Sequence, residues 1–172
     1  VYRFGYERFA QRCVEVGVSA AILPDIPLEE SGEWCAAADA TGVETVMLAA
    51  PTGDDERLSR VCARARGFVY GVGLLGVTGE RSALAGTSLE IARRLKALTD
   101  LPVLVGVGIS TPTQAVEVCE VADGAVVGSA FVRRMIEEGT PEAVSSLVGE
   151  FRDALDAIGP TLPSHDPSVA LG

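Results

Sequence analysis

The stretch Val103-Leu104-Val105-Gly106-Val107-Gly108-Ile109-Ser110-Thr111-Pro112 decides how this chain folds. Residues 103–107 form a short β-branched run without polar alternation, which reads as a strand buried on both faces, as in a parallel sheet flanked by helices. Beyond Gly108, either Ser110 or Thr111 can accept a first-turn N–H, and Pro112 sits where a missing N–H costs nothing. A strand therefore passes through glycine directly into a helix. The same succession closes the next run, 125–128, where Gly128-Ser129-Ala130-Phe131 again places small residues beside a helix start.

Three more runs of this kind precede it, at 19–23, 45–50 and 68–73. Helical spacing fills the intervals at 7–17, 29–41, 55–65, 86–98, 112–119 and 142–158, so helices can serve as the crossovers that parallel pairing requires. This is an α/β pattern of five βα units. It permits an open doubly wound sheet, or part of a (β/α)8 barrel that would leave an exposed edge on each side. After Gly159 the composition changes to Pro160, Pro163 and Pro167 without periodicity. Residues 1–159 are thus expected to form the domain and 160–172 a flexible tail, which carries the sole histidine, His165.

The chain has 172 residues with 14 Lys+Arg against 24 Asp+Glu, a formal charge of −10, which opposes binding to nucleic acid or an anionic membrane. No apolar run approaches the roughly 20 residues that span a bilayer. Cys13, Cys35, Cys62 and Cys119 are widely separated and never form C-x-x-C. Reduced, packed thiols and a cytoplasmic setting are expected, with no metal site. No export signal is visible ahead of the globular pattern, and none is expected.

In either architecture ligands gather at the carboxyl ends of the strands. The first end is Leu23-Pro24-Asp25-Ile26-Pro27, a carboxylate between two prolines; after the second, Asp54 and Asp55 suit a helix start. The third runs from Tyr70 into Gly71-Val72-Gly73-Leu74-Leu75-Gly76-Val77-Thr78-Gly79-Glu80, whose glycines suit a lid folding over a ligand. Gly71, Gly73 and Gly76 match the spacing of a dinucleotide fingerprint, but no helix is expected to start there. At the fourth and fifth ends, Gly108, Gly128 and Ser129 admit close backbone approach to first-turn N–H donors. A phosphate held by backbone amides fits there and needs no Lys or Arg, so an acidic chain is no obstacle. Lys96 is read as a solvated mid-helix residue.

These residues resemble the tryptophan synthase alpha subunit family over residues 1 to about 158. The resemblance is carried by Leu23-Pro24-Asp25-Ile26-Pro27-Leu28-Glu29-Glu30, by Gly67-Phe68-Val69-Tyr70 with Gly76-Val77-Thr78-Gly79, by Gly106-Val107-Gly108-Ile109-Ser110 and by Gly128-Ser129-Ala130. It implies an N-terminally truncated TIM barrel containing strands 4 to 8. The implied activity is that of a lyase performing retro-aldol cleavage of indole-3-glycerol phosphate to indole and glyceraldehyde 3-phosphate. It makes Ile22 and Tyr70 walls of the substrate pocket, Thr78 and Gly79 the lid, and Gly108, Gly128 and Ser129 phosphate contacts. Asp25 would serve lid closure and communication with the beta subunit in an alpha2beta2 complex. The family's catalytic Glu and Asp lie in the absent N-terminal part, so no catalytic residue falls in this chain, which alone is expected to be inactive. The resemblance implies no cofactor, because pyridoxal phosphate belongs to the beta subunit. Alternatives are another phosphate-binding barrel of the indole-glycerol-phosphate synthase or phosphoribosylanthranilate isomerase type, or a non-catalytic partner of the beta subunit.

Overall fold

The structure, a computed structural model, describes residues 1–73, 81–106 and 108–159, and the side chains of all of these except 81–85. Helix α1 (Tyr6–Glu15) leads to β1 (Ala20–Ile22), α2 (Gly32–Thr41), β2 (Glu44–Ala49) and α3 (Asp55–Arg64). These are followed by β3 (Val69–Val72), α4 (Arg81–Lys96), β4 (Val103–Gly106), α5 (Pro112–Cys119), β5 (Gly124–Val126), α6 (Ser129–Glu138) and α7 (Pro141–Asp156). Each strand pairs in parallel with the next, giving the order β1-β2-β3-β4-β5. A doubly wound sheet would reverse its order at a switch point. Sequential order belongs to an arc of a barrel, and it decides between the two architectures.

Side chains alternate between two unlike faces. Met47, Ala49, Val69, Val103 and Val105 pack beneath the helices with Leu58, Ile91 and Leu95, forming the main core. A Cβ on Gly71 would meet Val105, Leu95 and Ile91, which places Gly71 on that same convex face. A second, smaller core joins α1 to α2 around Trp34, with Phe9 at 5.7 Å between ring centroids and Ala21 of β1 packed against it. Leu58, Ile91, Leu95, Val69, Val103 and Val105 are fully buried. Each contributes about 1.5–3 kcal/mol relative to exposure.

The concave face is different. Ile22 is 38% exposed, and Leu48, Tyr70, Val72, Leu104 and Val126 are only half-buried. The expectation of burial on both faces holds at Val46, the register partner of Ile22, but not at these positions. Helices cover only the convex face, and among the described residues no strand lies across from the concave one. The continuous apolar runs record the environment of a barrel lumen.

Local signals explain most boundaries. Thr111 accepts the Gln114 N–H at 3.3 Å with Pro112 in the first turn, and Thr140 does the same for the Ala143 N–H ahead of Pro141. Asp54 caps α3 by accepting the Arg57 N–H at 2.8 Å. Three expectations shift. The 29–41 helix splits into a 3-10 turn (Leu28–Glu30) and α2, and the 86–98 helix begins at Arg81. Helix α6 occupies an interval for which only its start was anticipated. Lys96 is exposed as expected, but it ends α4 instead of lying mid-helix and it is paired: its Nζ lies 3.0 and 2.9 Å from the Asp123 carboxylate oxygens, and Asp123 also accepts the Val103 N–H. All four cysteines are buried and free, whereas the tail at 160–172 with His165 lies outside the described residues.

Gly106 faces the concave side, where an added Cβ would run into the Tyr70 phenol and come within 3.0 Å of the Val126 Cβ. The phenol thus occupies space that only glycine leaves open. Gly106→Ala is expected to destabilise the fold by about 1–3 kcal/mol through overpacking. In urea unfolding, combining it with Tyr70→Ala should abolish most of its added cost; two strictly additive losses would place the crowding elsewhere.

Candidate active site at the carboxyl rim of the sheet

Parallel pairing in chain order brings all five carboxyl ends to one rim. At the β4 end, Gly108 adopts φ +87°, a left-handed conformation that a side chain would strain. The capping box that follows uses its own side chains: Gln114 Oε1 accepts from the Ser110 N–H at 2.8 Å and the Thr111 N–H at 3.2 Å. At the β5 end the helix start is bare. Gly128 is the N-cap of α6, no side chain caps that helix, and a Cβ at Gly128 would meet nothing within 4 Å.

The first intrahelical bond runs from the Val132 N–H to the Gly128 carbonyl at 3.1 Å, leaving the N–H groups of Ser129, Ala130 and Phe131 in the donor-rich first turn. Gly128 and Ser129 are both exposed. The helix dipole adds the equivalent of about half a positive charge. The two strand ends that look alike in sequence therefore differ: α5 caps its leading amides with its own side chains, while α6 has no side-chain cap.

Ile22 and Tyr70 share the concave face with this rim. Register places Ile22 beside Val46, and Tyr70 between Leu48 and Leu104. The Tyr70 phenol crosses Gly106, and burial raises its pKa, so it remains a neutral donor in ordinary buffers. Leu48, Leu104 and Val126 join this wall without having been singled out from sequence. Their signal was available: residues aligned with Tyr70 in parallel register, or two along from such a position, face the same way.

Asp25 stands apart. It is exposed in the β1–α2 loop and lines a cavity of about 460 Å³ together with Trp34, Thr52, Gly53, Arg57 and Leu58. Ile22, Tyr70, Gly108, Gly128 and Ser129 are not among this cavity's walls. The loop's neighbouring turn is tied to α3 by Glu29, whose oxygens lie 2.7 and 3.2 Å from Arg57 and 3.3 Å from Arg60. Thr78 and Gly79, expected to form the lid, lie outside the described residues. Among the described residues no three His, Cys, Asp or Glu side chains gather to hold a metal, and no helix is long and apolar enough to cross a membrane.

The hydrogen bond from Arg57 holds the Glu29 carboxyl below its ordinary pKa. A lowered folded-state pKa stabilises the contact above the unfolded value and loses that contribution as pH falls through the folded value. Acid titration followed by the Glu29 side-chain carbon resonance should show a midpoint below 4.5 in the wild type. Arg57→Gln should return it towards that value; an unchanged midpoint would show that the pair does not persist in solution.

A family model described as tryptophan synthase alpha chain matches residues 1–154. The tryptophan synthase alpha chain of Streptomyces avermitilis is 45% identical over 152 residues, covering 86% of this chain and 55% of that protein. That of Methanosarcina mazei is 44% identical over 158 residues, covering 90% and 57%. Among solved structures, Mycobacterium tuberculosis tryptophan synthase superposes with a TM-score of 0.80 at 34% identity, covering 90% of this chain and 58% of that one. The alpha chain from Legionella pneumophila gives 0.77 at 33%, covering 92% and 60%. The chain thus spans little more than half the length of the relatives it matches. It belongs to the tryptophan synthase alpha chain family.

Proposed function

We propose that this chain supplies five βα units, the carboxyl-terminal part, of a lyase of tryptophan biosynthesis that cleaves indole-3-glycerol phosphate to indole and glyceraldehyde 3-phosphate. The observation that carries the reading is the uncapped start of α6 at Gly128 and Ser129, on the rim above an apolar wall containing Ile22 and Tyr70. A phosphate ester with a flat aromatic group has one end suited to each. Main-chain amides and the Ser129 hydroxyl would take the phosphate, with Gly108 giving the second close approach. Ile22, Tyr70, Leu48 and Leu104 would flank the indole, while Thr78 and Gly79 would close over it and exclude water.

Cleavage requires a proton delivered to indole C3 and a proton removed from the glycerol hydroxyl as the C–C bond breaks. In this reading an Asp and a Glu outside these 172 residues perform that chemistry, and the units here bind and orient. The chain by itself is then inactive. Asp25 would serve lid closure and communication with a beta subunit, the partner in an alpha2beta2 complex that carries pyridoxal phosphate; the alpha reaction itself needs no cofactor. A cytoplasmic setting accords with four buried, unpaired thiols.

Gly128→Asp tests the phosphate assignment. The carboxylate would crowd and repel a dianion at the helix start, so in a version of the enzyme that turns over, KM for indole-3-glycerol phosphate should rise about tenfold or more with kcat changed less. An unaltered KM would remove the assignment. Indole release by the 172-residue chain alone, at a rate near that of an intact enzyme, would overturn the division of labour.

A further inference from the structure

Arg94 lies near the end of α4, yet its guanidinium reaches across to the β2–α3 loop. Nη1 donates to the Pro51 carbonyl at 2.9 Å and Nη2 to the Gly53 carbonyl at 2.6 Å, while Nε and Nη2 lie 3.0 and 2.8 Å from Asp55 Oδ1. Helical side chains lean towards the helix N-terminus, and here that lean carries Arg94 towards the rim. Its side chain is 24% exposed, whereas Asp55 is 77% exposed, so the carboxylate alone would form an ordinary surface pair worth little. The two carbonyls make the difference. They belong to a loop of irregular backbone whose acceptors have no ladder to join, and a planar fork with several donors can span them where a point charge cannot.

This loop follows directly from the strand end that carries Leu48, the register partner of Tyr70, and its Thr52 and Gly53 line the cavity shared with Asp25. Across the cavity, Glu29 and Arg57 tie the Asp25 side to α3. The geometry points to Arg94 as the positioning residue of the rim: it locks the exit of β2 onto α4, so that the β2–α3 loop is preorganised instead of being shaped by whatever binds there. This role does not depend on which phosphate ester the strand ends hold.

Amide hydrogen exchange on the 172-residue chain tests it, because the loop and its anchor contain protected reporters. The Gly53 N–H donates to the Ala50 carbonyl, the Arg57 N–H to the Asp54 carboxylate and the Leu58 N–H to the Asp54 carbonyl. In Arg94→Met these amides should exchange about tenfold faster or more, while the Val69 and Gly73 amides, bonded to Pro102 and Gly106, keep their rates. Emission of Trp34, the sole tryptophan, which lines the same cavity, should shift to the red as water enters. Arg94→Lys should restore only part of the protection, and Asp55→Asn, which leaves both carbonyl bonds in place, should lose less than Arg94→Met.

Unchanged exchange at Gly53, Arg57 and Leu58 would overturn the role. Equal acceleration at Val69 and Gly73 would also overturn it, by making Arg94 a general stabiliser of the sheet, and full rescue by Lys would show that charge suffices without the fork. If Arg94→Met does not fold, Arg94→Lys decides by the same local comparison.

Discussion

Parallel pairing of each strand with its successor is the constraint on which the molecule depends. Parallel neighbours need a crossover, and four crossovers of one hand place every intervening helix on one side. From that follow the main convex core around Leu58, Ile91, Leu95 and Val69, the concave face with its half-buried apolar side chains, and the gathering of every strand end on one rim. The site is a consequence of connectivity before any functional residue is considered. Tyr70, Gly108 and Gly128 come from separate βα units with no sequence proximity, and the rim is what they share.

In the proposed function the rim would handle charge through its backbone. An acidic chain of net charge −10 is a poor attractor of phosphate at long range, yet a helix start works at short range through fixed N–H dipoles. The contrast between α5 and α6 shows how this is regulated by sequence. Gln114 turns back to satisfy the Ser110 and Thr111 amides, whereas the position that opens α6 is a glycine with no side chain to turn. Two side chains, Thr111 and Gln114, separate a capped helix start from an uncapped one.

Much of this was legible in the sequence. Runs of apolar residues gave all five strands, and Thr111-Pro112, Thr140-Pro141 and Asp54 marked helix starts where the caps are found. The family resemblance, and not the residues alone, named Tyr70 and Ile22 as pocket walls; register shows only that both lie on the concave face. The failures have physical reasons. Apolar character alone does not distinguish a strand covered by helices from one facing a barrel lumen, so half-exposure at Leu48 and Leu104 was missed. Lys96 lies at the end of its helix, within reach of Asp123 from another βα unit, a pairing that no local window contains. Arg94 escaped notice for the same reason: its partners lie about forty positions away in the chain. The equivalence assumed for the two glycine-rich strand ends failed because a cap at Gln114 depends on which way an amide folds back.

Sequential strand order carries one more implication. In a sheet whose order reverses, removing a contiguous piece of chain would extract a central strand and leave a gap. Here every βα unit touches chiefly the unit before and the unit after it, as in a repeat protein. Removing a unit from either end of such an arc leaves the interfaces among the remaining units as they were, although only one strand number closes the barrel.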